Sequence, residues 1–213
     1  MMELDKIIAW GTEKMKYTDE TPLEKGYRYY HGLRSAKLAA ALAEGMGLEV
    51  NRNVLFVGSF LHDVGKAGYR GPNHGPRGAE LIRSEIPHLF STSELGLVLS
   101  MVENHYARPN SKHYVGKVKP SFPDEVLIIQ DADTIDHFGS NGVWIAYHWS
   151  GHHLRSQQDE IDYYNTRDTR WRKEAVEGLN YDLCKQELQY RISRIDEFFA
   201  VWQQEEKGAL THL

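Results

Sequence analysis

The chain holds one cysteine, Cys184, in 213 residues. It cannot form an intramolecular disulfide, and a reducing, cytoplasmic setting is the default expectation. No stretch approaches the roughly 18 uninterrupted apolar residues that a membrane span needs, so no membrane partner is expected. The start, Met1-Met2-Glu3-Leu4-Asp5-Lys6, lacks a basic leader followed by an apolar run, which fits the same expectation. A basic tract is missing too. The formal net charge is -5, and the basic-looking residues 167–173 also contain Asp168. Nucleic acid is therefore not the expected partner, because its backbone calls for a basic face. A small anionic substrate stays open, since a local metal and a few cations can dominate a slightly acidic surface. What is present is an ordinary globular composition, 41% hydrophobic and 26% charged, long enough for one domain with a substantial core.

Helical periodicity dominates, with no internal repeat, low-complexity tract or β-alternation. A helix is expected over residues 22–45, with Tyr27, His31, Arg34, Leu38 and Leu42 along one stripe and Gly45 and Gly47 as stop signals. The next, over 53–66, stacks Leu55, Gly58 and His62. A Gly/Pro-rich loop over 68–78 and a helix over 79–86 follow. Ser91-Thr92-Ser93-Glu94 spells a capping box that opens a helix with Leu95, Val98, Leu99 and Val102 on its stripe and His105 at the same angle. Residues 107–123 read as a loop with three prolines. A long helix then starts near Asp124 and carries Val126, Ile129 and Asp133 on one line. The last, over 183–204, has a stripe of Leu188, Ile192, Ile195, Phe199 and Trp202. Residues 150–181 are rich in charge and aromatics (Tyr163, Tyr164, Trp171), and the pattern leaves them open between cap, interface and surface excursion. The expected architecture is an all-α, single-domain helical bundle, with a core over about 22–148 and a helical C-terminal extension, 149–213, packing on it.

His62 and Asp63 stand side by side. A histidine nitrogen and a carboxylate oxygen presented together can hold a divalent metal. With eleven histidines in the chain, chance alone supplies about 0.6 such pairs, so the dipeptide by itself says little. Its setting says more: His31, His62 and His105 fall on otherwise apolar stripes, and a buried imidazole without a partner is unfavourable by about 1–3 kcal/mol. One inward histidine is ordinarily a core group bonded to a carbonyl. Three of them with two inward carboxylates are harder to explain that way. His113, His137, His148, His152 and His153 have weaker claims.

The order His31, His62-Asp63, Asp133 resembles the H…HD…D signature of the HD superfamily of metal-dependent phosphohydrolases, which are helical bundles. The resemblance covers residues 27–145. His62-Asp63-Val64-Gly65-Lys66 is similar to the superfamily's HD-[IV]-G-K spelling, and Ala132-Asp133-Thr134-Ile135 resembles its closing segment. The longer string Gln130-Asp131-Ala132-Asp133-Thr134-Ile135-Asp136-His137-Phe138-Gly139 looks like a subgroup of small bacterial HD hydrolases, some of which act on nucleotides. Asp131 and Asp133 lie about 200° apart around one helix, and periodicity does not choose between them. The resemblance chooses Asp133 as ligand and leaves Asp131 as a cap, an ion-pair partner or a group that orients a ligating histidine. It further implies a dinuclear site, bridged by Asp63, if His74 and His105 join the set.

Such a His/Asp set suits Mn, Fe, Co, Ni, Zn or Mg, as one ion or two. The resemblance implies hydrolysis of a small phosphate ester or anhydride, a nucleotide first, by metal-activated water. Asp63, Lys66 and Arg34 are the expected catalytic residues. Lys66, Arg34 and Arg77, each three positions after a candidate ligand, are the expected phosphate contacts. Two other readings remain open at this point: a mixed-valent di-iron oxygenase, whose six-ligand order His31, His62, Asp63, His74, His105, Asp133 is similar, and a non-catalytic nucleotide-binding protein. Trp144, Trp149 and Trp171 hint at self-association into a homo-oligomer.

Overall fold

A computed structural model describes residues 2–17, 23–69, 71–108 and 121–210. Among them the chain is all-α, with no strand, as expected. No helix among the described residues is long and apolar enough to cross a membrane.

The stretch before residue 22, for which the sequence pattern predicts nothing, contains helix α1 (Leu4–Lys16), which buries Ile7 and Met15 against the next two helices. The helix expected over 22–45 starts at Tyr27 (α2, Tyr27–Gly45) because Gly26 turns the chain at φ +74°, a left-handed conformation that favours glycine. Helix α3 (Arg52–Leu61) is capped by Asn51, whose side chain accepts from the backbone N–H groups of Asn53 and Val54.

The expected continuation of α3 to Lys66 does not occur. The helix ends at Leu61, His62 and Asp63 form a turn, and Val64–Lys66 make a single 3₁₀ turn. The cause is packing. A Cβ on Gly65 would stand 1.9 Å from the carbonyl oxygen of His74, so only glycine lets helix α4 (His74–Glu85) lie directly on this turn. The break places two successive side chains, His62 and Asp63, at the end of a buried helix. Helix α4 also begins earlier than the expected residue 79. Pro76 sits in its first turn, where backbone N–H groups have no intrahelical partner to lose.

Ser91 and Glu94 form the expected capping box at the head of α5 (Thr92–Asn104), which ends at His105. Helix α6 (Asp124–Asp136) is the centre of the molecule, buried along nearly all its length and packed against α2, α3 and α5. The open region, residues 150–181, is helical. It contains the end of α7 (Ser140–His152), then α8 (Gln157–Tyr163), a π-helical turn at Tyr164–Asp168 and α9 (Thr169–Glu177). The last helix, α10 (Asp182–Glu206), packs on α6, α7 and α9. Phe60, Leu61, Met101, Ile128, Ile129 and Ile135 are fully buried in the core, each favourable by roughly 1.5–3 kcal/mol relative to exposure.

Candidate metal centre

Four helices deliver imidazoles to one point beside α6. His31 comes from the inward face of α2, His62 from the break after α3, His74 from the first position of α4, and His105 from the end of α5. Asp63 and Asp133 complete the group. His31, His62, Asp63 and His105 are at most 1% exposed. The structure thus brings together all six residues of the expected ligand set. Their donor atoms form overlapping clusters: His31, His62 and Asp63; His31, Asp133 and His137; and Asp63, His74 and His105, each within 4.8 Å.

The ring nitrogens are assigned by their neighbours. His62 Nδ1 donates to the Ser59 carbonyl at 2.7 Å, and His105 Nδ1 donates to the Val102 carbonyl at 2.7 Å. A carbonyl can only accept, so in a neutral ring the lone pair lies on Nε2. These Nε2 atoms face others: His62 meets His31 Nε2 at 3.1 Å, and His105 meets His74 Nε2 at 2.9 Å. His31 Nε2 is also 3.1 Å from Asp133 Oδ1, while its Nδ1 is held by Asp136 Oδ2 at 2.8 Å. Burial alone would depress the His31 pKa, but Asp133 and Asp136 raise it to about 9. Burial and the neighbouring His105 and Lys66 push His74 down to about 3, and burial also lowers His105. Both rings are therefore neutral donors near pH 7.

Asp63 is the hub. Its Oδ2 takes Lys66 Nζ at 2.9 Å and Arg28 Nη1 at 3.1 Å. Its Oδ1 is buried and has no hydrogen-bond partner among the described residues. That oxygen stands 3.5 Å from His105 Nε2, 3.6 Å from His74 Nε2 and 3.9 Å from His62 Nε2. Two ligands bound to one ion at about 2.0–2.2 Å are themselves about 3–3.5 Å apart. An orphaned carboxylate oxygen close to that spacing from two imidazoles, with a third at 3.9 Å, fits a divalent cation. Burial pushes the Asp63 carboxyl up, but Lys66, His62, His105 and Arg28 outweigh it and hold the pKa well below the usual range. Asp133 is likewise held low against burial by Arg108, His31 and His62. Its Oδ2 takes Arg108 Nη2 at 2.5 Å.

Of the expected phosphate contacts, Lys66 lines an open cleft of about 620 Å³ beside the cluster, along with His74, His105, Arg108, Asp133 and His137. Arg34 and Arg77 do not line it. Arg34 bonds Asp136 through Nε at 3.0 and 3.1 Å, and both residues line a separate cavity. Arg77 Nη1 donates to the carbonyls of Gly65 and Ala67 at 2.6 and 3.0 Å and braces the turn that carries Lys66. Asp131 caps the chain ahead of α10, accepting from the backbone N–H groups of Asn180 and Tyr181 at 2.9 and 3.1 Å.

Three participants, Asp136, Arg28 and Arg108, are not among the sequence candidates, and His137 is only a weak one. Asp136 and His137 follow Asp133 by three and four positions, so they share its side of the helix, a usable signal. Arg28, three before His31, has the same kind of signal. Arg108 lies beyond α5 in no regular pattern. Among the weaker histidines, His152 and His153 are exposed, and His113 lies outside the described residues.

The model of the HD domain family matches residues 28–137. None of the curated proteins matches the chain. Among solved structures, an HD-superfamily hydrolase from Bacillus thuringiensis has a TM-score of 0.66 at 19% identity, covering 96% of this chain and 97% of that one. A protein from an uncultured Thermotogales bacterium, described as a predicted HD superfamily hydrolase, has a TM-score of 0.63 at 17% identity, covering 96% and 93%. YpgQ of Bacillus subtilis, in complex with ADP, has a TM-score of 0.63 at 14% identity, covering 95% and 97%. At such identities the likeness is one of fold.

Proposed function

The chain belongs to the HD domain family, and from that premise we propose that it is a metal-dependent phosphohydrolase whose substrate is a small phosphate ester or anhydride, a nucleotide first. The observation that carries this reading is the unpartnered Oδ1 of Asp63, with three imidazole nitrogens 3.5 to 3.9 Å away. His31, His62, Asp63 and Asp133 would hold one divalent ion; Asp63, His74 and His105 would hold a second. When bound, such ions supply a nucleophile from water at neutral pH and draw charge from a phosphoryl oxygen.

The chain's own groups divide the remaining work. Lys66 neutralises Asp63 and, from the cleft wall, donates to a non-bridging phosphate oxygen. Arg108 does the same from Asp133. Arg34 acts at one remove: it fixes Asp136, which fixes the His31 ring with Nε2 toward the cluster. The nucleotide part of the reading is supported by YpgQ, a structural neighbour seen with ADP.

The test is phosphate and pyrophosphate release from a broad panel of nucleotides and phosphate esters, with Mn, Fe, Co, Ni, Zn or Mg supplied in turn. Metal-dependent turnover that disappears in Asp63→Ala is the expected result. Well-folded, metal-loaded protein that turns over nothing in the panel would overturn it. Oxygen consumption by the iron-loaded form would replace it with the oxygenase reading.

A further inference from the structure

A second cavity, of about 300 Å³, opens beside the cleft, between α7, the π-helical turn and α10. Two of its residues, His137 and Trp171, also line the cleft, so the two spaces share a wall. The remaining lining is largely apolar and aromatic: Phe138, Ile145, Ala146, Trp149, Tyr164 and Phe199. Phe138 stacks on Trp171 with ring centroids 4.5 Å apart. Two carboxylates, Glu160 and Asp168, break this apolar lining.

We propose that this cavity receives the planar aromatic end of the substrate, a nucleobase, while the phosphates lie in the cleft against Lys66 and Arg108. The inference rests on the phosphohydrolase reading and deepens it. A space of this size with aromatic faces and a few placed polar groups is the general form of a small-molecule subsite, and flat rings stack on aromatic side chains whatever the base. Continuity with the cleft through His137 and Trp171 lets one ligand occupy both spaces. The π-helical turn, Tyr164–Asp168, brings Asp168 onto the cavity wall; such turns are rare in helices and occur frequently at functional sites.

The carboxylates give the subsite its direction. Glu160 is already held by the Ser150 hydroxyl and by Arg155 at 3.4 Å, so it shapes the wall. Asp168 takes Arg172 Nε at 3.3 Å through Oδ2. Burial raises its pKa to about 6, leaving it an acceptor at neutral pH. A carboxylate there favours bases that present amino N–H donors, such as adenine, guanine and cytosine, over uracil.

The experiment separates base from phosphate. Phosphate-free nucleosides are titrated into the full chain while the fluorescence of Trp149 and Trp171 is followed, and hydrolysis of nucleoside triphosphates is compared with that of inorganic tripolyphosphate. The wild type is expected to show saturable quenching, stronger with adenosine or guanosine than with uridine. Ala146→Phe, which fills the cavity, should weaken that binding at least tenfold and raise KM for nucleoside triphosphates by a similar factor, with tripolyphosphate hydrolysis within twofold. Asp168→Asn, close in shape and able to decide the matter if Ala146→Phe fails to fold, should erase the preference over uridine. No nucleoside binding by the wild type, or equal losses on tripolyphosphate, would overturn the subsite and leave the hydrolase reading standing. Nucleoside binding lost in Ala146→Phe, in a protein that hydrolyses no phosphate compound, would support the cavity and remove the hydrolase.

Discussion

Asp63 and Asp168 are both largely buried carboxylates in one small protein, and they are driven in opposite directions. Asp63 sits among Lys66, Arg28, His62 and His105, whose combined pull exceeds the cost of burial and keeps it ionised far into acid. Asp168 has Arg172 for it but Glu160 and Asp196 against it, and burial wins, raising its pKa to about 6. The first region, built on α2 to α6, is a charged cluster in which every member is fixed by another. The second, built on α7 to α10, is an aromatic cavity with two carboxylates, Glu160 and Asp168, on its wall. One is organised to hold a cation and the other to leave room for a ring.

The largest difference between the regions should come from neutralising each hub. Asp63→Asn removes the shared carboxylate and leaves Lys66 and Arg28 facing each other without it. Stripping one partner from a buried charge pair typically costs about 3–5 kcal/mol. We expect metal content to fall below one ion per chain, hydrolysis to drop at least about a thousandfold, an effect of about 4 kcal/mol, and the urea midpoint to fall. Asp168→Asn should retain its full metal complement. Elemental analysis of both variants checks this, and equal metal content in the two would erase the distinction.

The next effect divides the cluster itself. His74 and His105 touch Asp63 and each other but not Asp133. His74→Ala or His105→Ala should therefore lower the stoichiometry from two ions to one, with the His31, His62, Asp63 and Asp133 set still loaded. A protein that as isolated binds only one ion, unchanged by either substitution, would restrict the site to four ligands. A smaller effect is expected behind His31. Asp136→Asn loses the carboxylate that holds Nδ1, and removing such a support typically weakens metal affinity about 10–100-fold. Arg34→Gln should fall at the low end of that range, because Arg34 acts only through Asp136. Competition with a chelator measures both, and an Arg34 effect exceeding that of Asp136 would place the guanidinium on the substrate instead.

How far these features could be seen in advance follows the same division. The cluster residues sit on apolar stripes where a polar side chain is conspicuous; periodicity does not choose Asp133 over Asp131, but His31, His62 and His105 stand out by it alone. His74 does not: it lies in a Gly/Pro-rich stretch that reads as a loop, and only the resemblance points to it. The helix break after Leu61 was hidden because it is caused by a contact with α4 remote in sequence, through Gly65. Arg34 and Arg77 show the limit of spacing arguments. Each lies three residues after a histidine, yet one turns to Asp136 and the other to backbone carbonyls. The aromatic cavity left no periodic trace at all, since its lining comes from four separate segments and from a π-helical turn that no propensity scale registers.

The smallest expected effect is on stability, and it tests the claim that Asp168 differs in kind from Asp63. An unfolded aspartate titrates near 3.9, whereas in the fold Asp168 titrates at about 6. Between those values the native state keeps a proton that the unfolded chain has lost, so this group's contribution to stability declines as pH rises from about 4 to about 6. A displacement of that size corresponds to at most about 3 kcal/mol. The cavity admits water to the carboxyl, so about 1–2 kcal/mol is a fairer expectation. Asparagine cannot titrate and removes the slope. The stability of Asp168→Asn relative to the wild type should thus be more favourable at pH 7 than at pH 4.5 by about that amount, read from urea unfolding at the two pH values. Because the comparison is between two proteins with the same metal centre, the acid titration of the ligand histidines and carboxylates cancels. A difference independent of pH would mean that Asp168 is ionised as easily in the fold as in water, and the two carboxylates would then differ only in their partners.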